Sequence, residues 1–366
     1  MLISLFDYER IAETKVGASD WATIATGATD EITLRRTREA YDSIGLLPRV
    51  LRDLSHIDLS TTVLGTPVAL PVLAAPAGVH TKAHPDGEHA TARAFAAMGS
   101  LVVVSAHASF SIEEIAAASS APLWFQMYLF ADNGVTREWR ERAETAGYRA
   151  LCLTLDAQWP SKRERVIRAR ATATSRALGA NYAGVERDTP EERDHGVVIT
   201  GSSRSLADPT ATWADVERFK SETSLPVAVK GILTAEDAAL AVAHGVDAVI
   251  VSNHGGRNVD TTISTIEALP AVVDAVGGAA EVYLDGGIRR GTDVLKAIAC
   301  GARAILVGRP VFWGLAVDGE AGLTRLLAIL REELESGMAI CGRPTLADID
   351  RTVLAPFGTR YDRSVI

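Results

Sequence analysis

Ala248-Val249-Ile250-Val251-Ser252-Asn253-His254-Gly255-Gly256-Arg257-Asn258-Val259-Asp260 is a short apolar run, rich in β-branched residues, that stops abruptly in polar residues and two glycines. The pattern predicts a strand buried on both faces, delivering its C-terminal end into a site. His254 can move a proton near neutral pH. Arg257, three residues on, can clamp a carboxylate or phosphate through two parallel hydrogen bonds. Gly255 and Gly256 let the backbone approach a ligand closely or take up positive φ. This stretch alone makes His254 a candidate base and Arg257 a candidate anion-binding group.

Outward from it the same rhythm repeats. Apolar, strand-like runs occur at 71–75, 101–105, 123–128, 150–155, 226–230, 248–252, 282–284 and 304–307. Ala-rich segments with helical periodicity separate most of them, at 87–98, 112–118, 136–146, 235–244 and 292–300. Eight alternations predict a (β/α)8 TIM barrel. A doubly wound sheet is the competing architecture; the count of eight and the lack of an early Gly-x-Gly-x-x-Gly turn weigh against it. One domain over 1–366 is expected, with a helical lead-in over 1–69 that becomes irregular after the helix expected at 30–41. The connection 163–208 shows no strand pattern. A link this long is a disordered insert or an active-site lid, and its position directly after the Asp156 strand favours the lid.

Composition excludes several classes. The chain has 366 residues, 47% hydrophobic and 23% charged, with a net charge of −9. That balance argues against nonspecific nucleic-acid binding. No apolar run approaches the roughly 20 residues that span a bilayer. The opening Met1–Asp7 lacks a basic lead, so no signal peptide is expected. Cys152, Cys300 and Cys341 show no paired spacing, which suggests a reducing, cytoplasmic setting. No metal site is expected.

Polar groups recur at the strand ends: Ala77-Gly78, Ser105, Gln126-Met127-Tyr128, Thr154-Leu155-Asp156, Lys230, Ser252, Asp285-Gly286-Gly287 and Gly308-Arg309. Barrel enzymes place their chemistry there. Any one of these could be a satisfied core group, but several together point to a site. The last two turns fall where barrels commonly hold a phosphate on backbone N–H groups, with Arg289 and Arg309 to supply charge. The bland alternative is two tight turns bearing surface arginines.

Together, Ser252–Arg257 with Asp260, Lys230 at the end of Pro226-Val-Ala-Val-Lys-Gly231, and Asp285-Gly-Gly-Ile-Arg-Arg-Gly-Thr-Asp293 resemble the FMN-dependent 2-hydroxy acid oxidases and dehydrogenases. Glycolate oxidase, lactate oxidase and mandelate dehydrogenase belong to that family. The likeness extends through Pro48–Leu51, His84–Glu88, Phe125–Tyr128 and Leu153–Asp156, and spans residues 25–350. The resemblance implies FMN as cofactor, held by Ala77, Gly78, Ser105, Gln126, Thr154, Lys230, Ser252, Asp285, Gly286, Gly287, Arg289, Gly308 and Arg309. Lys230 would stabilise negative charge on the reduced flavin, as a fixed cation does. By itself, a lysine at a strand end could instead form a Schiff base. His254 would take a proton from substrate, with Asp156 orienting it. Tyr128 would bond the hydroxyl, Arg257 the carboxylate, and Arg163 would be a second anion contact. A 2-hydroxy acid would become a 2-oxo acid, its electrons passing to flavin N5 and then to oxygen or another acceptor. A homotetramer is expected by the same likeness.

Four departures stand out. Relatives carry a tyrosine pair before the Gly27 turn, the first bonding the substrate carboxylate; this chain has Thr23 there, whose hydroxyl is shorter. A lost bond to a charged group is worth about 1.5–3 kcal/mol. His107 stands where relatives place a large aromatic, as a contact to a polar substrate tail or a rim spacer. The segment before Lys162-Arg163 lacks its usual glycine, and Gly78 is expected to open space near the flavin. These changes suggest a larger, aromatic or otherwise atypical 2-hydroxy acid. An amino acid derivative, non-oxidative chemistry on the same barrel, or a flavoprotein without turnover are the other readings.

Overall fold

The computed structural model describes residues 2–169, 180–182 and 207–355. Three helices lead in: α1 (Leu5–Lys15), α2 (Ala18–Ala25) and α3 (Ile32–Asp42). A hairpin follows, β1 (Thr61–Val63) paired antiparallel with β2 (Thr66–Val68). The sequence pattern missed it, because three-residue strands are too short to show alternation.

Then the barrel runs β3 (Val72–Ala74), α4 (Gly87–Ala97), β4 (Val102–Ser105), α5 (Ile112–Ala117), β5 (Leu123–Met127), α6 (Asn133–Thr145) and β6 (Ala150–Thr154). It continues with α7 (Glu164–Arg168), α8 (Trp213–Ser221), β7 (Val227–Ile232), α9 (Ala235–Ala243) and β8 (Ala248–Val251). It closes through α10 (Thr265–Val276), β9 (Glu281–Asp285), α11 (Gly291–Ala299), β10 (Ala304–Val307) and α12 (Arg309–Ile340). The eight strands β3–β10 form a closed parallel barrel, with β10 completing the circle on β3. All eight predicted strands are present, and the five predicted helices lie within a few residues of their expected bounds. Most of the expected lid over 163–208 lies outside the described residues.

Side chains alternate across each strand, so one set fills the barrel and the other meets the helices. The inner set includes Leu73, Val103, Trp124, Cys152, Ala228, Ile250, Tyr283 and Leu306. Trp124 and Tyr283 meet edge to face at 5.6 Å. Val63 and Val68 of the hairpin belong to the same cluster, so the hairpin caps the N-terminal mouth. Packed by bulky groups below, the barrel is a solid core, and only its C-terminal end is left for polar residues.

Helix ends follow local chemistry. Ser111 accepts from Glu114 N at the start of α5, and Thr234 from Asp237 N at the start of α9. α12 breaks at Asp318–Gly319, where Gly319 takes φ +53° against the His84 ring.

Candidate active site

Two residues beyond each inward core residue lies the next inward position. In β5 that step leads from Trp124 to Gln126, in β6 from Cys152 to Thr154, in β7 from Ala228 to Lys230 and in β9 from Tyr283 to Asp285. The strand period therefore builds a polar layer directly on the apolar plug. Ser105 Oγ donates to Gln126 Oε1 at 3.2 Å, and Lys230 Nζ donates to Ser252 Oγ at 2.9 Å. Lys230 also lies 3.4 Å from Asp285 Oδ2. Burial works to depress the Lys230 ammonium, but Asp285 and Asp156 outweigh it and hold the pKa above its ordinary value. Lys230 is thus a fixed, buried cation. The Schiff-base alternative needs a neutral amine, which this environment opposes.

On this layer stands a histidine–carboxylate pair. His254 Nδ1 lies 2.9 Å from Asp156 Oδ1. Burial, first, lowers the His254 pKa; Asp156 opposes the shift, and Lys230 adds to it. The imidazole is accordingly neutral at pH 7, with Nδ1–H bonded to Asp156 and Nε2 able to accept a proton. For Asp156, burial works upward, but His254 and Lys230 prevail and keep it ionised. His254 itself takes φ +56°, followed by Gly255 at +66° and Gly256 at +71°. This run of left-handed residues turns the chain sharply at the end of β8.

Arg257 reaches back under α2. Its Nη1 donates to the carbonyls of Thr23 (2.9 Å) and Thr26 (3.1 Å), groups that a helix C-terminus leaves unpaired. Burial pushes its pKa well down, and Arg163 and Arg309 repel it further. Arg163 donates Nε to the Arg257 carbonyl at 3.3 Å. An anion between these arginines would relieve that repulsion. Tyr128, raised by burial, feels Lys230, Asp156 and Arg163. Its ring lies 5.7 Å from His107.

Two expectations need correction. The Thr23 hydroxyl donates to Ser19 O at 3.1 Å, within its own helix. Thr23 meets the site through its carbonyl, because a β-branched hydroxyl in a helix readily back-bonds one turn away. Gly78 does not open space: a Cβ there would lie 2.6 Å from His107 Cβ and 3.1 Å from its carbonyl oxygen. The glycine exists because the β4 loop packs against it, so the departures at 78 and 107 are one feature.

The turns after β9 and β10, where a phosphate site is expected, bring Arg289 and Arg309 into buried positions. Arg289 and Arg309 are each pushed down to about 10, by burial first, with Arg289 also repelling Arg309. Arg289 stacks over Trp313 at 4.5 Å. Arg309 donates to the carbonyls of Ile24, Thr26 and Gly255. Gly286 and Gly287 both take positive φ, and a Cβ on Gly287 would meet Thr37 O at 2.3 Å. Buried cations, each with another arginine working against its charge, beside a helix N-terminus suit a phosphate. The buried Gln126 Nε2 has no partner among the described residues. An amide donor left over beside a buried lysine suits the polar edge of an isoalloxazine, so these residues fit FMN.

Three contributors escaped the sequence reading. A Cβ on Gly231, at φ +109°, would lie 2.6 Å from Asp156 Cβ. Asn258 Nδ2 donates to Asp156 O at 2.6 Å. Asp260 accepts from the backbone N–H of Ile32 and Thr33 and from the Thr29 hydroxyl, docking the start of α3 on the β8 loop. Gly231 and Asp260 were visible as motif members, but nothing local to them told what they touch.

A parallel barrel with a buried lysine, a histidine–aspartate pair and arginine-lined turns after its last two strands is the framework of a flavin-dependent oxidoreductase. A profile of the FMN-dependent dehydrogenase family matches residues 12–356. An L-lactate oxidase from a Nostoc species is 44% identical, covering 96% of this chain and 98% of the relative. Glycolate oxidase 1 of Oryza sativa subsp. indica is 42% identical, over 96% and 95%. A crystal structure of a mandelate oxidase superposes with a TM-score of 0.89 at 37% identity, covering 97% and 98% of the two chains. The chain belongs to the FMN-dependent dehydrogenase family, flavoenzymes that oxidise the CH–OH group of 2-hydroxy acids.

Proposed function

We propose that this enzyme converts a 2-hydroxy acid bearing an aromatic or otherwise bulky side chain into the 2-oxo acid. FMN, held by the polar layer and the Arg289–Arg309 cradle, supplies the two-electron acceptor. Arg257 binds the substrate carboxylate through the edge that its two carbonyl contacts leave open, with Arg163 as a second cation. Tyr128 donates to the substrate oxygen. His254 Nε2 accepts the proton that leaves the substrate, and Asp156 holds the resulting imidazolium. Lys230 offsets negative charge gathering on the cofactor side.

The observation carrying this assignment is the 2.9 Å His254–Asp156 pair, with a neutral imidazole facing the polar layer. The bulky-substrate reading rests on Thr23 and on His107 beside Tyr128. Mandelate oxidase, whose solved structures include one with (S)-mandelic acid, gives a point of comparison. Anaerobic mixing with glycolate, L-lactate, mandelate and longer 2-hydroxy acids, followed by flavin bleaching, tests it. Fast bleaching by glycolate or L-lactate alone overturns the bulky-substrate assignment. Admitting oxygen and measuring peroxide then identifies the acceptor.

The same reading includes a homo-oligomer of four chains in the cytoplasm. Val50, Leu51 and Ile340 are largely exposed, and the Arg49 N–H bond to Cys341 O brings their two segments together. An apolar patch of this kind is usually covered. Light scattering on the purified protein measures the mass. All three cysteines are free and buried, as a reducing compartment allows. Among the described residues no helix is long and apolar enough to cross a membrane.

A further inference from the structure

The α2 helix receives a second cation besides Arg257. Lys82, from the single 3-10 turn His80–Lys82 that follows β3, sits 3.8 Å from Asp20 Oδ1, with its side chain 19% exposed. Asp20 lies three residues before Thr23, about 4.5 Å along the helix axis and on the same face. Arg257 contacts the Thr23 carbonyl. Two cations therefore meet one turn of α2, at Asp20 and at the Thr23 carbonyl, and the Thr23 hydroxyl is turned to Ser19. The turn bearing Lys82 is fixed to the pocket wall: Lys82 N donates to Val79 O, and Val79 N to His107 O. Burial works first against the Lys82 ammonium; Asp20 opposes it, and Arg257 adds a smaller push in the same direction as burial. The 3.8 Å contact with a carboxylate 46% exposed is a loose one, so Lys82 is left with donors to give.

We propose that Lys82 is a specificity-determining residue that serves the substrate carboxylate beside Arg257, in place of the donor missing at position 23, with Asp20 as its partner when substrate is absent. The proposal rests on the 2-hydroxy acid reading above. A carboxylate arriving at Arg257 draws Lys82 off Asp20, so Asp20 competes with the substrate for one ammonium. Lys82 thereby favours acids whose carboxylate end is unhindered, whatever the bulk of the other end.

The competition gives the two partners opposite signs. In the FMN-loaded enzyme, Lys82→Met is expected to raise KM for the best acid of the anaerobic panel about tenfold or more, the size of a lost charge-assisted bond. Most of the loss falls on KM and little on kcat, and Lys82→Arg restores it. Asp20→Asn is expected to lower KM. Titration with benzoylformate, followed through the flavin absorbance, should show the same opposite shifts in Kd. If the pair were only a structural brace, both substitutions would do the same harm and lower Tm together. That outcome, or an unchanged KM in Lys82→Met, overturns the proposal. A holoenzyme bleached by no 2-hydroxy acid overturns the underlying reading as well; bleaching with an indifferent Lys82 overturns this proposal alone.

Discussion

Gly231→Ala is expected to disable the enzyme without touching any group that performs chemistry. Gly231 sits in the β7 bulge, where pairing with β8 shifts between Lys230 and Ile232. Its φ of +109° is one that an L side chain adopts only with strain of about 1–3 kcal/mol. The added Cβ would lie 2.6 Å from Asp156 Cβ, 2.7 Å from Cγ and 3.0 Å from the amide nitrogen. Carbon contacts settle near 3.5–4.0 Å, so Asp156 must retreat by about 1 Å. The 2.9 Å bond to His254 would then open beyond hydrogen-bonding range. A misplacement of about 1 Å typically removes about 100-fold in rate, or about 2.7 kcal/mol of barrier. Anaerobic stopped-flow reduction reads the rate, flavin absorbance the FMN content, and calorimetry the Tm. Asp156→Asn serves as a control that removes the charge and keeps the backbone. A Gly231→Ala enzyme that binds FMN and is reduced at close to the wild-type rate would refute the idea that Asp156 is positioned by this close approach.

Further outcomes follow from the same geometry. His254→Ala should keep FMN and lose flavin reduction, by a factor of about 10² to 10⁴ as for a general base; unimpaired reduction removes the assignment. Because the His254 pKa is lowered, the base stays neutral as pH falls, and the acid limb of kcat/KM should lie below the ordinary histidine value of about 6.5. A limb above that value contradicts the burial argument. Arg309→Met should weaken FMN binding by about tenfold or more in a fluorescence titration, since it removes a charge-assisted contact. Asp260 is held down to about 2: burial pushes upward, but backbone N–H donors led by Thr33 prevail. Its stabilising effect is complete above the unfolded value of about 3.9 and lost as pH falls toward 2. Tm should drop through that window in the native enzyme and less so in Asp260→Asn.

The barrel was legible because eight apolar runs, each ending in polar residues, admit few other arrangements. The candidate site was legible where its residues sit in one short stretch: Ser252–Arg257, Lys230, and the Asp285–Gly287 turn with Arg289. The β1–β2 hairpin was hidden by its length, and α12 by its break at Gly319. Thr23 and Gly78 were read one residue at a time, and both changed meaning once their neighbours were known. Thr23 lost its hydroxyl to Ser19, and Gly78 turned out to face His107.

By itself, the sequence determined the chemistry available: a histidine, a carboxylate, a lysine and several arginines at strand ends, in a chain that must close on itself to bury its apolar runs. Strands buried on both faces show no polarity alternation, so which side of each strand enters the barrel was decided only when β10 closed on β3. That closure stacked Gln126, Thr154, Lys230 and Asp285 on the apolar plug. Contacts between residues distant in the chain decided the rest. Gly231 and Asn258 set the position of Asp156, and the carbonyls of α2 set the direction of Arg257. Such contacts depend on distances of a few tenths of an ångström across the barrel mouth, and residue order along a chain carries no such distances.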